Sequence, residues 1–243
     1  MTLRHPSGID EKVVAKVVAR RGRLHAFESL TPALTALVVI DLMRASVEND
    51  ETCREIVSPI NQVAAALRGR GGTVAWVTAA PMPLESPVLA AIHGPQRLRH
   101  FQDGARPEDP RSQLWHELVT QTGDVHAMKQ GYKGYSAFFP GRCDLHAQLR
   151  RRKLDTLLIA GTVTNICCES SARDAVELGY RVIMVSDANT GHAHGLHEAS
   201  LTTIYRCFGD VRPTAEVLDL IAAGALREKV GTGFSQEQCS KHL

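Results

Sequence analysis

Two kinds of hydrophobic pattern alternate along the chain. Short continuous apolar runs of strand length recur at 36–40 (ALVVI), 73–78 (TVAWVT), 124–129 (DVHAMK), 157–160 (LLIA) and 181–185 (RVIMV). Between them apolar residues return every three or four positions, the helical period. These helical stretches lie over 11–21, 51–70, 112–119, 144–152, 198–207 and 214–223. Strand and helix in alternation predict an α/β fold: a three-layer open parallel sheet of about six strands, helices on both faces, Rossmann-like in layout. The expected division is an arm over 1–33, one domain over 34–225 and a tail over 226–243. No internal repeat or second domain is visible.

The stretch 154–188 is the densest in information. Strand 157–160 ends in Gly161, Thr164 or Asn165 can cap a helix running to Gly179, and strand 181–185 follows. This is a βαβ unit, so its strands should be parallel with a right-handed crossover. Cys167 falls in the first helical turn, just past the strand's C-terminal end, where open α/β sheets place ligands. The positive end of the helix dipole is expected to favour thiolate there. Cys168, about 100° further round the helix, is assigned to packing.

Two other strand ends carry charge. The 36–40 run, which reads as a doubly covered central strand, ends in Asp41, either a turn or capping residue or a general base facing the crevice. The 124–129 strand ends in Lys129, either a snorkelling surface lysine or a group directed inward. The stretch from 80 to about 112 is long and polar, rich in Pro, Gly, Arg and His, and suggests a cover or subunit contact. Arg20, Arg21 and Arg23 read as a solvated cluster.

Composition narrows the function classes. The chain has 243 residues, 44% hydrophobic and 22% charged, with net charge +2, so neither nucleic acid nor an anionic membrane is indicated as partner. There is no apolar run of spanning length, and the first ten residues do not read as a signal peptide. Six scattered cysteines without zinc-type pairs suggest free thiols and a cytoplasmic location. His93 and His100 read as surface residues. His192, His194 and His197 read as loop and first-turn residues, because no acidic or cysteine partner lies close in sequence. No metal and no cofactor are expected.

The run GTVTNICCESSARDA followed by GYRVIMVSDA resembles the nucleophile segment of the isochorismatase-like cysteine hydrolases. The resemblance implies the isochorismatase fold and a triad of Asp41, Lys129 and Cys167. The segment GYKGYSAFFPG resembles the one that follows the catalytic lysine. Lys133 then competes with Lys129, which is favoured because the sheet holds its position. The resemblance also implies a cis Thr162–Val163 peptide and an oxyanion hole from the backbone N–H groups of Val163 and Cys167. YSAFF, CCESSARD and FGDVRPTAEV look closer to the N-carbamoylsarcosine and ureidoacrylate amidohydrolase branch than to the nicotinamidases. Met43 departs from the family's usual polar residue, and no Asp-x-His metal signature follows the second strand. The expected activity is cleavage of a C–N bond in a small linear amide, ureide or N-carbamoyl compound, with Arg44, Tyr135 and Phe138 lining the substrate site. A thiol redox sensor, a non-catalytic oligomeric scaffold and vinyl-ether hydrolysis are the alternatives. The family's habit points to a dimer or tetramer.

Overall fold

A computed structural model of the chain describes residues 5–80, 87–104, 106–130, 135–191 and 193–229. The first element is helix α1 (Glu11–Arg21). The Asp10 carboxylate caps it, accepting from the N–H groups of Lys12 at 2.9 Å and Val13 at 3.3 Å. Gly22 ends it in the left-handed region at φ 76°, as a C-terminal glycine does. Val14 and Val17 are buried in the main core, so the expected arm lies against the sheet. Its arginines are not simply solvated: Arg21 lies 4.5 Å from the centre of the Tyr205 ring, and Arg20 donates to the Arg206 carbonyl.

The elements that follow are β1 (Thr35–Ile40), α2 (Arg44–Val47), α3 (Glu51–Glu55), α4 (Val57–Arg68), β2 (Thr73–Ala79), α5 (Pro87–His93), α6 (Pro95–Gly104), β3 (Val125–Lys129) and α7 (Leu145–Arg151). After them come β4 (Thr156–Thr162), α8 (Glu169–Glu177), β5 (Arg181–Thr190), α9 (His194–Thr203), β6 (Asp210–Arg212) and α10 (Thr214–Lys229). The strands form one sheet in the order β3-β2-β1-β4-β5-β6, every neighbouring pair parallel. The direction of strand addition reverses between β1 and β4, which opens a crevice at their C-terminal ends.

The central strands are buried on both faces. Alternation along β1 sends Ala36, Val38 and Ile40 into one core with α1, α7 and α8. Leu37 and Val39 enter the other with α4 and α10. That double burial is why β1 reads as an unbroken apolar run rather than an alternating one.

Several sequence expectations are corrected. The 51–70 helix is two helices meeting at Ile56, because Pro59 in the first turn of α4 cannot donate back to Glu55. No helix forms over 112–119. There Met43 bridges Leu114 antiparallel, and the Trp115 N–H donates to the Leu42 carbonyl at 2.9 Å. Those backbone groups are thus used by the β1–α2 connection, although Leu118 is buried as expected. The long polar stretch contains α5 and α6. β5 runs on to Thr190, and Asp187 within it caps α10, accepting from Thr214 N–H and Oγ1 at 2.7 Å each. Helix 198–207 begins earlier, at His194, and ends in a π-helical turn over Ile204–Phe208. Among the described residues, no helix is long and apolar enough to cross a membrane.

Candidate active site

Asp41 is the first residue after β1. Its N–H donates to the Val77 carbonyl of β2 at 2.9 Å, and its backbone is left-handed at φ 55°. That region is uncommon for residues other than glycine, though aspartate tolerates it better than most. The carboxylate turns over the end of the sheet. Lys129, the last residue of β3, meets it there, its Nζ donating to Asp41 Oδ2 at 2.6 Å. β2 separates the two strands, so their backbones are about 9–10 Å apart, a gap that a lysine stem spans. The Lys129 side chain is only 2% exposed and that of Asp41 13%, so this is a buried ion pair and not a snorkelling lysine. Nζ also donates to the Tyr135 carbonyl at 3.3 Å. Lys133 lies outside the described residues.

Cys167 arrives from the other side of the switch point. After β4 the Thr162–Val163 peptide bond is cis, and residues Thr164–Cys168 form a π-helical turn that runs into α8. The Ile166 and Cys168 N–H groups donate to the Val163 carbonyl at 3.0 and 3.3 Å. Neither Thr164 nor Asn165 caps the helix: Val163 occupies that place without a side-chain bond. π-turns of this kind recur at functional sites.

The electrostatics bear on one expectation. Burial, with the Asp41 charge adding to it, pushes the Cys167 thiol up to about 12, and Lys129 opposes them without prevailing. Burial thus works against the thiolate that the helix dipole was expected to favour, in a residue that is itself partly buried. Burial lowers the Lys129 pKa, but the Asp41 carboxylate bonded to it and the neighbouring Cys167 more than offset this, so Lys129 is held above its ordinary value. Asp41 Oδ1 is buried without a regular hydrogen bond among the described residues. Lys129 thus holds one carboxylate oxygen and not the other.

The other candidates divide. Tyr135 stands at the site: burial and then the Cys167 charge raise its pKa. Its hydroxyl bonds His93 Nε2 of α5 at 3.2 Å, so His93 is not the isolated surface residue expected. Phe138 is 3% exposed and packs against Tyr180 with ring centres 5.8 Å apart. Arg44 heads α2, its Nη2 3.4 Å from Glu48, with Nε buried and unbonded among the described residues. Met43 is buried. Cys168 is fully buried in the core, as assigned. His197 bonds Thr164 Oγ1 at 2.8 Å. His194 does have an acidic partner, Glu198, at 3.1 Å; His192 lies outside the described residues.

Sequence reasoning missed Ser171. Its Oγ donates to the Cys167 carbonyl at 2.6 Å and accepts from the Ala137 N–H at 3.0 Å, tying the segment after Lys129 to the nucleophile helix. Its place one helical turn after Cys167 was the available signal. At the opposite edge of the sheet, His5, His25 and Asp210 bring ligand-type atoms within 4.8 Å of one another. His25 is already engaged there, 3.1 Å from Asp210 and 3.4 Å from Glu216. Arg212 contacts both carboxylates. The group is an ion-pair network binding the N-terminal segment to β6 and α10.

Comparison with known proteins extends this description. Residues 35–216 match the model of the Isochorismatase domain. An uncharacterized isochorismatase family protein of Bacillus subtilis, YwoC, is 33% identical over 195 residues, 77% of this chain and 94% of that protein. The ureidoacrylate amidohydrolase RutB of Cronobacter turicensis is 27% identical over 227 residues, 82% of this chain and 94% of that one. A cysteine hydrolase from Pseudomonas syringae pv. phaseolicola superposes with a TM-score of 0.72 at 28% identity, covering 83% of this chain and 99% of its own.

Proposed function

The chain belongs to the isochorismatase family of hydrolases, and from that premise we propose that it is a cysteine-dependent amidohydrolase of small linear amides, ureides or N-carbamoyl compounds. The observation that carries the reading is the meeting of Lys129 Nζ and Asp41 Oδ2, at 2.6 Å, in the electrostatic reach of the Cys167 thiol. A merely structural ion pair has no need of a thiol within its reach.

The chemistry follows from the charges. Asp41 accepts the Cys167 proton as the sulfur attacks the carbonyl carbon, so thiolate forms only as the C–S bond does. Lys129 keeps Asp41 in place and offsets the negative charge gathering at the site. The N–H groups of Val163 and Cys167 receive the oxyanion. As the tetrahedral intermediate collapses, Asp41 returns the proton to the leaving nitrogen, the C–N bond breaks, and ammonia or an amine departs. A thioester, or a thiocarbamate from a ureide, remains. Water then adds to it, giving its proton to Asp41, and the C–S bond breaks to restore the thiol. The relationship to RutB, a ureidoacrylate amidohydrolase at 27% identity, supports a ureide among the substrates.

Ammonia release from a panel of small amides, ureides and N-carbamoyl amino acids tests this, with wild type, Cys167→Ala and a chelator-treated sample. Release from at least one class that survives chelation and vanishes in Cys167→Ala is expected. Full release by Cys167→Ala would refute the mechanism.

A further inference from the structure

The turn between β4 and α8 is held from outside as well as by its own backbone bonds. Thr164, which begins it, is fully buried, and its hydroxyl reaches out of the turn. It bonds His197 Nδ1 at 2.8 Å. The Thr164 carbonyl accepts from Ser200 Oγ at 3.2 Å. Both partners belong to α9, one helical turn apart on the same face. α9 therefore grips the residue directly after Val163, by side chain and by backbone at once. Val163 supplies one of the two N–H groups assigned to the oxyanion, and its carbonyl anchors the turn that presents Cys167.

We infer that His197 is a positioning residue: through Thr164 it fixes the Val163 peptide at the distance and angle at which its N–H meets the developing oxyanion. This rests on the amidohydrolase reading and goes beyond it, since His197 touches neither substrate nor the reacting sulfur. The oxyanion N–H groups act only where the oxygen of the tetrahedral intermediate will lie, so a peptide free to rock loses rate and not substrate affinity. A buried hydroxyl left without a partner would seek another and drag the turn with it.

The test separates acyl transfer from simple thiol reactivity. p-Nitrophenyl acetate acylates a thiol through an oxyanion, whereas iodoacetamide alkylates it without one. Both reactions are followed at Cys167 by mass spectrometry in wild type, His197→Ala and His197→Asn. Losing a positioned donor outright costs about 100- to 1,000-fold, and loosening it should cost less. Acylation of His197→Ala is expected to be about 10-fold slower, with alkylation unchanged. His197→Asn, whose amide can reach Thr164 from the place of Nδ1, should recover most of the rate. On an amide substrate kcat should fall in His197→Ala while KM holds. Unchanged acylation in His197→Ala would overturn the inference, as would a parallel fall in acylation and alkylation or a failure of asparagine to rescue. A wild type acylated at Cys167 but inert to every amide would refute the amidohydrolase reading alone. A wild type not acylated at Cys167 would remove the oxyanion turn and this role with it.

Discussion

Gly161 lies so close to Ile40 that a Cβ on it would stand 2.2 Å from the Ile40 carbonyl oxygen and 2.6 Å from its nitrogen. The two residues are paired in the β1–β4 register, and Gly161 has φ +119°. One position beyond Ile40 is Asp41, and just beyond Gly161 is the turn that leads to Cys167. The absent side chain sets how near the proposed base and nucleophile come.

Gly161→Ala is therefore expected to damage both fold and site. The methyl meets backbone, which cannot swing aside, and the positive φ adds strain. A loss of about 2–4 kcal/mol in stability is expected, with turnover falling by more than the unfolded fraction explains. Urea denaturation and turnover on the same preparation check this. A variant as stable as wild type would show that the strand ends can part without cost.

The Asp41–Lys129 pair is asymmetric. Removing Asp41 leaves a lysine whose side chain is 2% exposed, whereas removing Lys129 leaves a carboxylate 13% exposed and able to draw in water. Asp41→Asn keeps the shape and tolerates left-handed backbone, yet is expected to cost about 3–5 kcal/mol through the unpaired buried charge. Lys129→Met should cost clearly less. Both should lose about 100- to 10,000-fold in turnover. Equal destabilisation of the two variants would refute the asymmetry.

Alkylation of Cys167 by iodoacetamide should follow the same charges. With the thiol pushed up to about 12, the wild-type rate should still be climbing at pH 10, well past the range of an ordinary cysteine. Asp41→Asn removes a charge that raises the thiol, so its profile should move to lower pH. Lys129→Met removes one that lowers it, so its profile should move to higher pH. A wild-type plateau near pH 8 would refute the buried-thiol description.

Asp124 is expected to carry stability far from the site. It accepts from Arg68 Nη2 at 2.6 Å, Trp76 Nε1 at 2.8 Å and the Gln121 N–H at 2.8 Å. Burial alone would raise its pKa, but Arg68 and the indole outweigh burial and hold it below the ordinary carboxylate range. A depressed folded value means stability that is fully present above the unfolded value of about 3.9 and lost as pH falls through the folded one. Asp124→Asn should therefore cost about 2–4 kcal/mol at pH 7, and its deficit should shrink below about pH 4. Denaturation midpoints from pH 3 to 7 measure it; a deficit independent of pH would exclude the charge as its origin.

Five of the six strand positions and the parallel sheet were legible from local order, as were Asp41, Lys129 and Cys167 as candidates, though only the resemblance made them a triad; the three-residue β6 was not legible. Apolar runs bounded by polar residues are a property of consecutive positions, and so is the placement of a charged residue or thiol at a run's end. Helix limits were less legible where one residue overrode the period. Pro59 split a 20-residue pattern in two, and the Met43–Leu114 bridge held 112–119 out of a helix.

What sequence order could not hold is anything decided by partners distant along the chain. The protonation of Cys167 depends on Asp41 and Lys129, brought to it from the ends of β1 and β3, and on its burial, which works against the expected thiolate. Phe138 has an aromatic's chemistry for lining a pocket, and only the fold showed it packed against Tyr180. His93 and His197 carried no local mark of their contacts with Tyr135 and Thr164, and Ser171 only its place one helical turn after Cys167. Periodicity is written by which face of each element is buried, so it survives in the order of residues. Hydrogen bonds across elements and the dielectric of a closed site arise only when the elements meet.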